Sequence, residues 1–437
     1  MRSGGAAIDA ARAEAALQRA LTAWIVSGLF FMLLPGTFLG VWSLFSITRQ
    51  RSLQAMSAAW LQAHGHAQVF GWVGSFILGI GFYSLSKMAG LAPFAVGRSW
   101  AAWGLWTVGV ALRWVANITG WHWRVGLPVS AGLELGGFLL FFSTVARHRP
   151  ARNAGHDARA EAWMLLVIAG AVGLLAILAA NLALAVAAAA RGDGPALAHG
   201  ADQRLLTAIV WVFLAPTIWG FSARWLPIFL GLAQPSERGL KLAYGLAFSA
   251  VAAALAGAWV VSSVLAAAAA AAIPVALRLW RKALKPPKTA GVHASFPAFV
   301  RVAYVWLMLG AGLSVWAAVA DRSGGIWGAS RHAITVGFVA MMVLTIGQRV
   351  LPAFCGARVL YSPRLMLAAL GLLAVGCTLR VATEPLAYQG YAPGLWPVLP
   401  VSAVLELSGI TLFALNLGVT LLRPPEHVRL RTVAQRT

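Results

Sequence analysis

HAQVFGWVGSFILGIGFYSLSKMAG, residues 66–90, and HAITVGFVAMMVLTIGQRVLPAFCG, residues 332–356, are each apolar over enough length to cross a bilayer as a helix, which takes about 20 residues. They also align without a gap. His66, Ala67, Gly71, Val73, Ile80, Gly81, Leu85 and Gly90 recur as His332, Ala333, Gly337, Val339, Ile346, Gly347, Leu351 and Gly356. The correspondence continues downstream, where VGVALR ending at Arg113 matches VGCTLR ending at Arg380. LPVSAGLELGG from Leu127 then matches LPVSAVLELSG from Leu399, which sets Glu134 against Glu406. Apolar composition alone does not repeat a histidine, an arginine and a glutamate in the same order, so the chain contains an internal repeat whose polar residues carry a role.

Around these segments the chain keeps the same character. Its 437 residues are 60% hydrophobic and 11% charged, with a mean hydropathy of +0.77, which describes an all-α membrane protein lying mostly in lipid. Apolar runs predict twelve transmembrane helices from 21–45 to 399–421, including 62–86, 95–116, 203–222, 332–354 and 365–383. The Ala-rich run 240–280 counts as two only if it turns back between Gly257 and Ser263. Most of the 34 lysines and arginines fall in alternate loops, such as RHRPAR at 147–152, RLWRKALKPPK at 278–288 and RPPEHVRLR at 423–431. The positive-inside rule then puts both termini in the cytoplasm and loops 46–61, 117–126, 190–202, 321–331 and 384–398 outside. The formal charge of +22 is accounted for by this topology and by anionic lipid, so the bilayer is the expected partner and nucleic acid is not. The apolar run at Leu21 is long enough to span, so no cleaved signal peptide is expected. Cys355 and Cys377 form neither CxxC nor CxxCH, which supports no disulfide, zinc or covalent haem site.

The repeat suggests three blocks of four helices at 21–150, 160–285 and 298–425, between an N-terminal segment 1–20 and a tail 426–437, both cytoplasmic. The middle block shares part of the pattern: Arg224-Trp-Leu-Pro-Ile-Phe-Leu-Gly231 resembles Arg349-Val-Leu-Pro-Ala-Phe-Cys-Gly356. In that register Thr207 stands at the histidine position, and the arginine and glutamate are missing. Repeats four helices apart share orientation, unlike the inverted repeats of many transporters.

Of the nine histidines, only His64, His66 and His332 are expected at helix depth. An ionisable residue in the membrane is costly unless it is paired or ligating. His66 and His332 begin helices two and ten at equal depth, as two facing axial ligands of one haem would. His64 lies two residues from His66, so on a helix their side chains point roughly 200° apart. Either His64 sits in the preceding loop, or helix two presents a ligand to each of two cofactors. Arg113 and Arg380 suit the propionates of a haem, since guanidinium forks bind carboxylates bidentately. The alternative is ion pairing with Glu134 and Glu406, the acids expected inside helices. His199 lies in an outer loop where copper is a further candidate, and His122 between Trp121 and Trp123 reads as an interfacial anchor.

HxHxxxxG at His64 to Gly71, the histidine-led HAITVG at His332 to Gly337, GLWTVGVALR before Arg113 and LRVA at 379–382 together resemble the NnrS family. The resemblance implies a bacterial inner-membrane protein of twelve helices that contains haem and copper and belongs to the nitric oxide response. It assigns metal or haem ligation to His64, His66 and His332, with nitric oxide or a related small molecule, and a redox partner, as associates. Where the family usually has Glu-Met after its second histidine, this chain has Ala67-Gln68, and Phe354-Cys355-Gly356 replaces a frequent histidine after helix ten. The architecture is also similar to subunit I of the haem-copper oxidases. That family needs adjacent histidines and a further histidine in the middle helices, and no complete binuclear site is visible here. Whether the protein turns over is therefore left open. The rival readings are a divergent oxidase or nitric oxide reductase-like subunit, and a transporter or structural membrane protein without haem.

Overall fold

The computed structural model describes residues 2–88, 94–147, 161–192, 194–356 and 359–423. Most of the basic stretches 147–152 and 423–431, together with Gly90, His148, His156, His427 and the tail 426–437, lie outside the described residues. Within them the structure is helical and has no strand. Twelve long helices follow in chain order: α1 (Arg12–Gln50), α2 (Ala58–Leu85), α3 (Val96–Thr119), α4 (Trp123–Arg147), α5 (Ala162–Arg191) and α6 (His199–Leu230). The second half comprises α7 (Glu237–Leu255), α8 (Trp259–Ala276), α9 (Phe296–Ala320), α10 (Gly325–Phe354), α11 (Pro363–Tyr388) and α12 (Val398–Leu422). Eleven spans are long and apolar enough to cross a membrane. The remaining helix, α3, is 24 residues long, but Trp100, Trp103, Trp106, Trp114, Arg98 and Arg113 hold its hydropathy down.

The Ala-rich run divides as the hairpin reading requires. Helix α7 ends at Leu255, α8 starts at Trp259, and Gly257 takes φ 82 between them, a conformation a side chain would oppose. Several helices extend beyond their apolar runs, because polar residues continue the backbone hydrogen-bond ladder once it is nucleated. Helix α2 starts at Ala58 and α10 at Gly325, so His66 and His332 stand about two turns inside their helices rather than at the first residue.

The second helix of each proposed block is the most enclosed. Within their most apolar stretches, 72% of residues are buried in α2, 67% in α6 and 72% in α10, against 33–44% in α4, α5, α7–α9, α11 and the span containing α12. These three helices meet around a small apolar cavity of about 90 Å³ lined by Val73, Phe76, Thr217, Met342 and Ile346. Each also carries a π-helical stretch at the same place: Ala67–Gly74 directly after His66, Ala333–Ala340 directly after His332, and Ile209–Leu214 two residues after Thr207. A fourth π stretch, Met32–Phe38, interrupts α1 around Pro35, which has no N–H to offer the ladder.

Glycines bring the repeated helix pairs together. A Cβ at Gly109 would lie 2.9 Å from both Glu134 Cγ and the Ser130 carbonyl, and one at Gly137 would lie 3.0 Å from the Ala102 carbonyl, so α3 and α4 touch backbone to backbone. Gly376 and Gly409 do the same for α11 and α12, against Glu406 with Ser402 and against Ala369. The loops expected outside gather at one end of the bundle: Leu53 packs near Gly324, Gln62 binds Leu197, Asn117 binds Pro195, and Gln389 binds Asp321.

Candidate functional site at one end of the inner helices

His66 is the last residue before the π stretch of α2, and its Nε2 lies 2.7 Å from Oε1 of Glu134 on α4. Glu134 is fully buried, and the imidazole also packs on Phe70 with ring centroids 4.6 Å apart. The third block builds the same pair, His332 Nε2 lying 2.8 Å from Glu406 Oε1. The expectation that the arginines pair with these glutamates therefore gives way to a different arrangement: each glutamate takes its own block's histidine. Gly109 and Gly376 explain why glycine stands four residues before each arginine, since each lets the glutamate-bearing helix close in.

The two arginines differ. Arg380 pairs with Glu384, one helical turn further along α11, with Nη2 donating to Oε1 at 3.0 Å and Nε 3.0 Å from Oε2. Arg113 is buried, and its Nε and Nη1, like those of Arg380, have no hydrogen-bond partner among the described residues, but unlike Arg380 it has no carboxylate on its own helix to pair with. It interacts electrostatically with Glu134 and with Asp202 of α6. Asp202 also faces Arg331 and His199. Glu384, Asp202 and Arg331 are the members of this site that the sequence reading missed, so Glu134 and Glu406 are not the only acids within helices. Their signals were present: Glu384 stands at the i+4 position from Arg380, where opposite charges meet on a helix, and Asp202 lies in the first turn of α6, where the helix dipole favours an acid.

His64 resolves the two alternatives left by its spacing. It is helical and lies on the opposite side of α2 from His66. Its Nδ1 donates to the Gly36 carbonyl at 2.9 Å, which also accepts from the Leu39 N–H, and its ring lies where Gly40 has no side chain. Its electrostatic neighbours are His332, Arg380 and Glu406 of the third block. Thus His66 serves the first cluster and His64 looks into the third. His199 is not in a loop, as its Gly/Asp neighbourhood suggested, but opens α6, and with His66, Arg113, Asn181, Asp202 and Arg331 it lines a cavity of about 250 Å³. Gln68, at a position where the family usually differs, donates to Thr37 Oγ1 at 2.9 Å and so braces the π stretch of α1.

The family model described as NnrS protein matches residues 20–424, nearly the whole chain. The chain belongs to the NnrS family. No curated protein matches it. In this NnrS-family chain a neutral imidazole whose one ring N–H is held by a carboxylate or a backbone carbonyl presents its other nitrogen as a lone-pair donor, the arrangement that orients metal-binding histidines. His64, His66 and His332 each have one ring nitrogen held in this way. No group of three His, Cys, Asp or Glu side chains converges as around a metal ion among the described residues.

Proposed function

We propose that the chain is a twelve-span protein of the bacterial cytoplasmic membrane, with α3 as the twelfth span and both termini cytoplasmic, that binds b-type haem and takes part in the response to nitric oxide. The observation that carries the haem reading is the set of oriented imidazoles, above all His64. Its Nδ1–H is fixed on Gly36, which leaves Nε2 as a lone-pair donor, and His332 and Arg380 are among the charged groups nearest its ring. His64 and His332 are the residues that would hold the iron, a pairing that replaces the expectation of His66 opposite His332. Haem there would supply a centre that exchanges electrons and binds nitric oxide at iron. The protein's own part is to orient the imidazoles through Gly36 and Glu406 and to keep water out with the helices around them. This reading assigns no role to copper. Turnover would need an electron-donating partner.

The test is a reduced-minus-oxidised absorption spectrum of protein purified from haem-replete cells. His64→Ala and His332→Ala are each expected to remove most of the low-spin haem signal. His66→Ala and His293→Ala should keep it, His293 being held far from the site by Ser295. An undiminished spectrum in the His64→Ala/His332→Ala double variant, or no haem band in the unmodified protein, ends this reading.

A further inference from the structure

The repeat supplies an internal comparison for Arg113. In the third block, Arg380 has its counter-charge built in as Glu384, four residues on, and the Glu384 carboxylate occupies room left because Gly328 has no side chain. In the first block the equivalent positions hold Asn117 and Gln62. Both amides are committed elsewhere: Asn117 Nδ2 donates to the Pro195 carbonyl at 2.6 Å, while Gln62 donates to the Leu197 carbonyl at 2.9 Å and accepts from the Leu197 N–H at 2.8 Å. They pin the 195–197 segment across the end of the cavity instead of neutralising the arginine. Gly65 stands where the third block has Arg331, and nothing lies within 4 Å of where its Cβ would be, so the space beside Arg113 is open.

From this we infer that the cavity is a binding site for a small planar oxyanion of the carboxylate, nitrite or nitrate class, which sits in the open space beside Gly65 and supplies the counter-charge that Glu384 supplies in the other repeat. Three donors ask for it: Arg113 Nε and Nη1, and Asn181 Nδ2, both residues at least 97% buried and lining the cavity, and all three atoms without a partner among the described residues. A guanidinium fork matches a planar oxyanion bidentately. The cavity lining carries two guanidiniums, Arg113 and Arg331, against the single carboxylate of Asp202. Its volume of about 250 Å³ admits an anion of this size with accompanying water. Haem is not needed for this site.

The test uses the whole protein in detergent. Thermal unfolding is followed with sodium formate, nitrite or nitrate against sodium chloride at equal ionic strength. Saturating oxyanion is expected to raise the midpoint by about 2 °C or more over chloride, from mass-action stabilisation of the folded state. Arg113→Gln should abolish the difference. Asn117→Glu combined with Gln62→Gly, which makes both positions those of the third block, should supply the i+4 carboxylate and remove the oxyanion response. Porphyrin absorbance on the same samples separates this result from the haem reading, since the response is expected in haem-free and haem-containing protein alike. A response confined to haem-free protein would mean that a cofactor carboxylate fills the site and would overturn the inference. So would equal responses in unmodified protein and Arg113→Gln, or no oxyanion response at all.

Discussion

Gly109→Ala and Gly376→Ala test whether the histidine–glutamate pairs depend on backbone contact between repeated helices. The new methyl at residue 109 would meet Glu134 Cγ at 2.9 Å, the Ser130 carbonyl at 2.9 Å and the Glu134 N at 3.1 Å. At residue 376 the same atoms of Glu406 and Ser402 lie at 2.6, 2.8 and 3.1 Å. Ordinary carbon contacts begin near 3.4 Å, and two of the three obstacles are main chain, so the helices must separate by several tenths of an ångström. Overpacking of this kind costs about 1–3 kcal/mol, and the tighter contacts at Gly376 put Gly376→Ala at the upper end. Gly104 and Gly371, in the same two helices, have nothing within 4 Å of the place an added methyl would take. Alanine there relieves glycine's helix penalty and should stabilise by up to about 1 kcal/mol. Unfolding midpoints in detergent for the four single variants provide the assay. If Gly109→Ala and Gly376→Ala unfold no earlier than Gly104→Ala and Gly371→Ala, the close approach is not what holds the pairs.

Two further outcomes follow from the unequal arginines and from the charge pattern. Arg380→Leu strands the buried Glu384 carboxylate and should cost about 3–5 kcal/mol, whereas Arg113→Leu in anion-free buffer removes a charge with unsatisfied N–H groups and should cost less than half as much; equal losses in chemical denaturation would contradict the contrast. For sidedness, Gln54→Cys should react with an impermeant thiol reagent in intact cells and Lys285→Cys only after permeabilisation, and the reverse labelling would place the histidine clusters on the cytoplasmic side.

Much of this was legible in the sequence because two periodic signals survive without coordinates: length of apolar run, and repetition of polar residues at fixed register. The twelve helices, the hairpin at Gly257 and the convergence of His66, Arg113 and Glu134 on one cluster all came from those signals. What was lost was the partner of each side chain. Arg113 and Glu134 share a helix end, so an ion pair was a reasonable reading, yet Gly109 draws Glu134 onto His66 instead. Glu384 escaped because Pro385 reads as a stop, and the helix runs through it to Tyr388. His199 and Asp202 escaped for the opposite reason, since a polar helix start looks like a loop until the apolar face appears. The π stretches could not be read at all: they leave no compositional mark, and they shift the facing of every residue after them by part of a turn.

Those stretches also give α1 a role that its position at the edge of the repeat hides. Its outer half packs Val41, Leu44 and Ile47 against Ala387, Leu399 and Ala403 of the third block. Two carbonyls of its π stretch also serve the first block, Pro35 accepting from Trp114 Nε1 at 3.3 Å and Gly36 accepting from His64 at 2.9 Å. The helix therefore joins the two histidine clusters through main-chain acceptors on one side and an apolar face on the other. His64 is held where these two attachments meet, fixed by α1 while facing the third block, which is why a histidine on α2 belongs to the far cluster rather than to its own.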